Sequence, residues 1–199
     1  MPVALGARGQ AGHDHPFEWM SDCHRRIEQF LSVIRRAHEV YSKRELEEEG
    51  ARALRTAQRY FRESAPRHTE DEELSLFPRL RGLGRADLRG LLEAAERLEL
   101  EHVEAERIHR VMDERIDRWM CAGRLTPGDA VALAHDLDAL GGLYADHIAF
   151  EDRVLFPGAA RALDEQDIKG IGEEMAARRG LDVGMARTCE RIDVRRFKR

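Results

Sequence analysis

The chain has 199 residues, 42% of them hydrophobic and 36% charged, a balance that fits a soluble globular protein of one domain with room for a tail. Its longest strictly apolar run is Ala130 to Ala134, far short of the roughly 20 residues that a membrane-spanning helix needs, so no membrane partner is expected. The net charge of −5, with both signs interleaved, lacks the footprint of a nucleic-acid binder. Cys23, Cys121 and Cys189 stand far apart without Cys-x-x-Cys spacing, which argues against a disulfide framework, a zinc ribbon or an iron–sulfur cluster. Met1 to Arg8 carry neither a basic leader nor an apolar segment, and the expected location is the cytoplasm.

Alanine, leucine, arginine and glutamate dominate and β-branched residues are sparse, which favours helix. The first segment places Phe17, Met20, His24, Ile27, Leu31, Ile34, His38 and Tyr41 at alternating spacings of three and four, the stripe of a packed helix with two histidines on it. The second, about Glu47 to Leu80, contains Pro66, which lacks the amide an interior turn requires. It predicts one bent helix or two short collinear ones, with Leu54, Phe61, His68, Glu72 and Leu76 on a common side. Gly82 and Gly84 end it. The third runs Leu88, Leu91, Ala95, Leu98, His102, Ala105, His109, Met112, Ile116 and Trp119, and Gly123 stops it. The fourth opens on Thr126-Pro127 as cap and first turn, and its seam reads Leu133, Leu137, Leu140, Tyr144, His147, Glu151 and Val154.

Four long helices with short connections predict an all-α fold, an antiparallel up-down-up-down four-helix bundle over residues 1–160. Residues 161–199 form a C-terminal helical extension, with a fifth, weaker helix over about Glu165 to Arg179 and a basic tail. From Arg187 to Arg199 six basic residues face two acids, and the tail reads as a solvated terminus.

The two halves repeat. His68 to Pro78 and His147 to Pro157 share the pattern His-x-x-x-Glu-x-x-x-Leu-Phe-Pro, with His147 79 residues after His68. His102 follows His24 by 78 residues, and each is followed four residues later by a glutamate, Glu28 or Glu106. Each half therefore offers one single histidine and one His-x-x-x-Glu pair. Residues at i and i+4 share a helix face, so each pair aims an imidazole and a carboxylate at one point in the core. Buried carboxylates without compensating charge are strongly disfavoured, as are imidazoles with unpaired nitrogens, and six such groups on apolar stripes call for a cation. Two ions bridged by both carboxylates use six protein ligands and keep positions open for a small molecule. Nitrogen and oxygen donors without thiolate suit iron or manganese.

These residues resemble the hemerythrin-like family, the His-His-Glu cation-binding domains. The likeness rests on His24, His68 with Glu72, His102, and His147 with Glu151, together with the Leu-Phe-Pro after each pair, and spans about residues 13 to 160. It implies a non-haem di-iron centre, two iron ions with His24, His68, His102 and His147 as terminal ligands and Glu72 and Glu151 as bridges, although the same donors tolerate manganese and zinc. It further implies a small gaseous ligand or peroxide as partner, namely dioxygen, nitric oxide or hydrogen peroxide, supplied with electrons by an unidentified donor. The oxygen-carrying members have a second histidine where this chain has Glu106 and a His-x-x-x-x-Asp where it has His147-x-x-x-Glu151. Glu106 as a further carboxylate would favour reaction over reversible carriage. The alternative function is an iron- or oxygen-responsive sensing or binding module without turnover.

Glu106 and Tyr144 are therefore candidate additional ligands or outer partners, the tyrosine lying one turn before His147. His38 is about 21 Å along the axis from His24, too far to share its ion, and His109, about 10 Å from His102, reads as a packing residue or an outer partner rather than a ligand. His135 falls off the fourth stripe, and His13 and His15 precede the first helix as cap or loop residues. Cys23 projects about 100° from His24 and is not assigned to the centre.

Overall fold

A computed structural model describes residues 12–181. Among them the structure is helical, with no strand, and no helix is long and apolar enough to cross a membrane. The N-terminal Met1 to Arg8 segment, Cys189 and the Arg187 to Arg199 tail lie outside the described residues.

Helix α1 (Pro16–Tyr41) has proline in its first turn. The Pro66 prediction resolves as two helices rather than one bent helix: α2 (Glu48–Glu63) stops at Ser64, and α3 (Ala65–Asp71) takes Pro66 into its first turn, where a missing amide costs nothing. A π-turn over Glu72–Leu76 leads into α4 (Phe77–Gly82). A 3₁₀ turn at Ala86–Leu88 precedes α5 (Arg89–Ala122), which ends on Gly123 in the left-handed region at φ 71°. The α6 helix (Pro127–Phe150) is capped by the Thr126 hydroxyl, which accepts from the Asp129 amide. It runs into a second π-turn, Glu151–Leu155, and then α7 (Phe156–Ala162). Asp164 caps α8 (Glu165–Arg178) through the Asp167 amide. Helix α1 packs on α2 and α6, and α5 packs on α2 and α6, closing a ring of contacts around the core.

That core is two apolar clusters with a polar layer between them. One gathers Met20, Leu76, Phe77, Leu98, Leu155, Phe156 and Met175; the other gathers Leu31, Leu54, Ala105, Met112, Trp119, Leu133 and Leu140. Along every contributing helix the proposed ligand falls between the two: His24 between Met20 and Leu31, His102 between Leu98 and Ala105, His147 between Leu140 and Leu155. The predicted stripes are otherwise observed, except that Val154 is exposed and Leu155 takes the inward position.

The extension is docked. Helix α8 contacts α1, α3 and the first π-turn. Asp71 is fully buried and receives Arg178 at 2.8 Å and Arg179 at 2.6 Å. Arg79 pairs with Glu174 at 2.8 Å, and the Arg179 guanidinium lies 4.6 Å from the centre of the Trp19 ring. On the other side, Gly172 admits the backbone entering α1: a Cβ there would stand 1.8 Å from the His13 carbonyl oxygen. Gly172→Ala should therefore force the entering chain off α8 and cost about 1–3 kcal/mol, the range for overpacking, read as a lowered thermal midpoint.

Candidate metal centre

Both π-turns begin at a proposed bridging glutamate. The Phe77 amide donates to the Glu72 carbonyl and the Phe156 amide to the Glu151 carbonyl, each five residues back. The prolines that follow explain this. Pro78 and Pro157 have no amide, and their rings clash with the carbonyl four residues earlier, those of Leu74 and Arg153. Widening the turn moves those carbonyls aside. The Leu-Phe-Pro of the repeat is thus the local cause of two π-turns in equivalent places, a distortion common at functional sites.

The structure brings the six predicted residues together. Glu72 and Glu151 are fully buried, and His24, His68 and His147 nearly so. His102 keeps 10% of its side chain exposed. They form two four-residue groups, His24, His68, Glu72 and Glu151 on one side and Glu72, His102, His147 and Glu151 on the other, sharing both carboxylates. Each carboxylate turns one oxygen to each group. Glu151 Oε2 lies 3.0 Å from His24 Nε2, and its Oε1 lies 3.0 Å from His147 Nε2. Glu72 Oε1 lies 3.4 Å from His68 Nε2, and its Oε2 lies 3.2 Å from His102 Nε2.

Most of these atoms approach within ion-pair distance without forming a hydrogen bond. His24 Nε2 and all four oxygens of Glu72 and Glu151 are buried without a well-formed hydrogen bond. The two imidazoles at 3.0 Å compensate Glu151 by charge, whereas the Glu72 oxygens have nothing nearer than 3.2 Å, and a buried group left unsatisfied costs about 1–3 kcal/mol. The Nε2 atoms of His102 and His147 face one another at 3.2 Å. Two donors held at right angles about 2.1 Å from one ion stand about 3 Å apart, so separations of 3.0 to 3.4 Å suit neighbouring ligands around a cation. The donor set fits a metal.

Electrostatics point the same way. Burial disfavours protonated His24, but its hydrogen bond to Asp152 and the nearby Glu151 and Glu72 charges outweigh that and raise it from 6.5 to about 9. His147 is raised too, burial being outweighed by Glu151. His68 is held well below its ordinary range by burial and then by charged His24. Burial and the charge of Glu151 push Glu72 well up, whereas in Glu151 the imidazoles of His147 and His24 overcome burial and lower it. The metal-free native state therefore holds more protons than the unfolded chain at His24, His147 and Glu72. Raised groups stabilise in their protonated form, so the His24 contribution is complete below pH 6.5 and disappears as the pH rises through about 9. The thermal midpoint of metal-free protein should fall across that window while cation affinity rises, because loading expels the same protons. Melting curves against pH, and calorimetry in buffers of different ionisation enthalpy, measure both.

An outer ring of acids holds three of the four imidazoles, and the sequence reading missed all of them. His24 Nδ1 donates to Asp152 at 3.0 Å, His102 Nδ1 to Glu73 at 2.8 Å, and His147 Nδ1 to Glu101 at 2.8 Å. Ser21 donates to the same Asp152 oxygen at 2.6 Å. Such acceptors fix the tautomer that leaves Nε2 free for a metal. The repeat carried a signal for two of them: Glu73 and Asp152 each follow a proposed bridging glutamate, 79 residues apart.

Glu106 joins neither group. It is exposed, because the inward stripe of α5 steps from His102 to Ala105 and turns position 106 outward. It lines, with Glu73, Val103 and His102, a cleft of about 310 Å³ beside α3 and α5. Tyr144 is bonded to His109 Nε2 at 2.8 Å rather than to any of the six. Burial lowers His109 from 6.5 to about 4, so it is neutral. His38 bonds the Ala130 carbonyl at 2.8 Å; Glu28 and His135 are exposed.

An all-helical fold with two carboxylate-sharing His/Glu groups defines a cation-binding helical domain. The sequence profile of the Hemerythrin HHE cation binding domain matches residues 15–159, and the chain belongs to that family. No curated protein and no solved structure matches the chain.

Proposed function

We propose that the chain is a non-haem di-iron protein, an antiparallel four-helix bundle of the cytoplasm whose centre binds or reacts with dioxygen, nitric oxide or hydrogen peroxide. The observation that supports this reading is the placement of one oxygen of each glutamate in each four-residue group, the arrangement that Glu72 and Glu151 would need to bridge two ions. His24 and His68 would hold one ion, His102 and His147 the other. When bound, the iron pair supplies electrons to a diatomic molecule or peroxide. The chain's own part is to exclude bulk water with the two apolar clusters, to fix the imidazoles through Asp152, Glu73 and Glu101, and to admit small molecules past His102, the most exposed of the four histidines.

The alternative, an iron- or oxygen-responsive module without turnover, is favoured by one feature. The salt bridges of Arg178 and Arg179 reach Asp71, next in sequence to Glu72, a path by which occupancy of the centre would act on the extension. The test loads the protein with ferrous iron anaerobically and follows its spectrum on adding dioxygen, nitric oxide or peroxide. Catalytic consumption of one of them supports the enzyme, and stoichiometric binding with a change in α8 protection from hydrogen exchange supports the module. No spectral response to any of the three contradicts both.

A further inference from the structure

The repeat is broken at one outer position. Glu101 immediately precedes the single histidine of its half and backs His147. The equivalent residue of the first half, immediately before His24, is Cys23. Asp152 and Glu73, the other equivalent pair, are both acids and both back a histidine. Only the Cys23 position lacks a carboxylate, and the histidine that Glu101's counterpart would serve is His68. Its Nδ1 is buried with no hydrogen-bond partner.

The two cation groups are therefore unequal. In the His102–His147 group both imidazoles donate to a carboxylate at 2.8 Å. In the His24–His68 group only His24 does, at 3.0 Å. Losing one such outer acceptor typically weakens metal affinity about 10- to 100-fold, because the imidazole becomes less basic and its metal-binding tautomer is no longer selected. Resting on the two-ion reading above, we propose that the ion held by His102 and His147 is tight and that the ion held by His24 and His68 is labile, so that the protein loads in a fixed order and loses the second ion first. Glu101 and Glu73 act as positioning residues that set this order.

Repulsion between two nearby cations would also weaken the second ion whichever pair fills first, so the test must identify the pair. Metal-free protein is titrated anaerobically with ferrous iron against a chromophoric chelator, with native mass spectrometry counting ions per chain, for the unaltered protein, His68→Ala, His102→Ala and Glu101→Cys. The expected result is two ions, the first at least about tenfold tighter. His68→Ala keeps an ion of the tight class, His102→Ala keeps only a weak one, and Glu101→Cys, which leaves all six central residues in place, weakens the first step about 10- to 100-fold. Loss of the tight ion in His68→Ala with its retention in His102→Ala overturns the proposal and leaves the two-ion reading standing. So does an unchanged first step in Glu101→Cys. A chain that binds no iron in any form overturns both.

Discussion

Glu151→Gln should leave the fold intact and strip the protein of metal. The carboxylate is fully buried, and its two oxygens lie 3.0 Å from His24 Nε2 and 3.0 Å from His147 Nε2, so the change strikes both groups at once. Glutamine keeps the volume but removes the charge and replaces one oxygen with an amide that donates. We expect affinity at both positions to fall by more than about 100-fold, beyond what losing an outer partner costs. Metal-free stability should fall, since His147 and His24 hold the Glu151 carboxyl below its ordinary range and the change removes the charge that both imidazoles face. Metal analysis after dialysis, with melting curves before and after iron, separates the two effects. The unaltered protein should gain thermal stability with iron, and Glu151→Gln should gain none. A variant that still binds two ions would show that the carboxylate is a core residue, not a bridge.

The second large effect lies at α8. Replacing Arg178 and Arg179 together with alanine leaves Asp71, fully buried, without either of its guanidinium partners. Breaking a buried pair in this way costs about 3–5 kcal/mol, which for a chain of this size lowers the thermal midpoint by roughly 6–20 °C. Asp71→Asn in the same background should recover much of the loss, because it removes the uncompensated charge. The Arg179 side chain also covers Trp19, so recovery should stop short of complete. Since Asp71 precedes the Glu72 turn, the double variant should also hold iron more weakly; unchanged metal retention with lowered stability would confine α8 to a structural role.

What the sequence disclosed follows from what short-range periodicity can carry. The stripes of α1, α5 and α6 were readable because apolar residues at spacings of three and four specify a buried face, and the repeat picked out six residues that the structure brings together. The π-turns were not read, although Pro78 and Pro157 announced them; an α-helical periodicity carried through a widened turn placed Val154 inward, where Leu155 is found. Glu106 shows a limit of spacing alone. Positions i+3 and i+4 from His102 lie on opposite sides of its direction, and the inward seam of α5 passes through Ala105 and Ile108, leaving position 106 to solvent. The acceptors Glu101, Glu73 and Asp152 come from helices other than those of the histidines they serve, contacts between residues 46, 29 and 128 positions apart that no single-helix pattern encodes. The same holds for Asp71 with α8, 107 and 108 positions apart.

The most direct test of the central claim is the number of iron ions per chain after anaerobic loading and removal of excess metal, measured with the near-ultraviolet spectrum after exposure to air. A carboxylate-bridged pair at Glu72 and Glu151 predicts two irons per chain and the charge-transfer absorption of a coupled ferric pair. One ion or none per chain, or two ions retained when Glu72 and Glu151 are both replaced by glutamine, would contradict it.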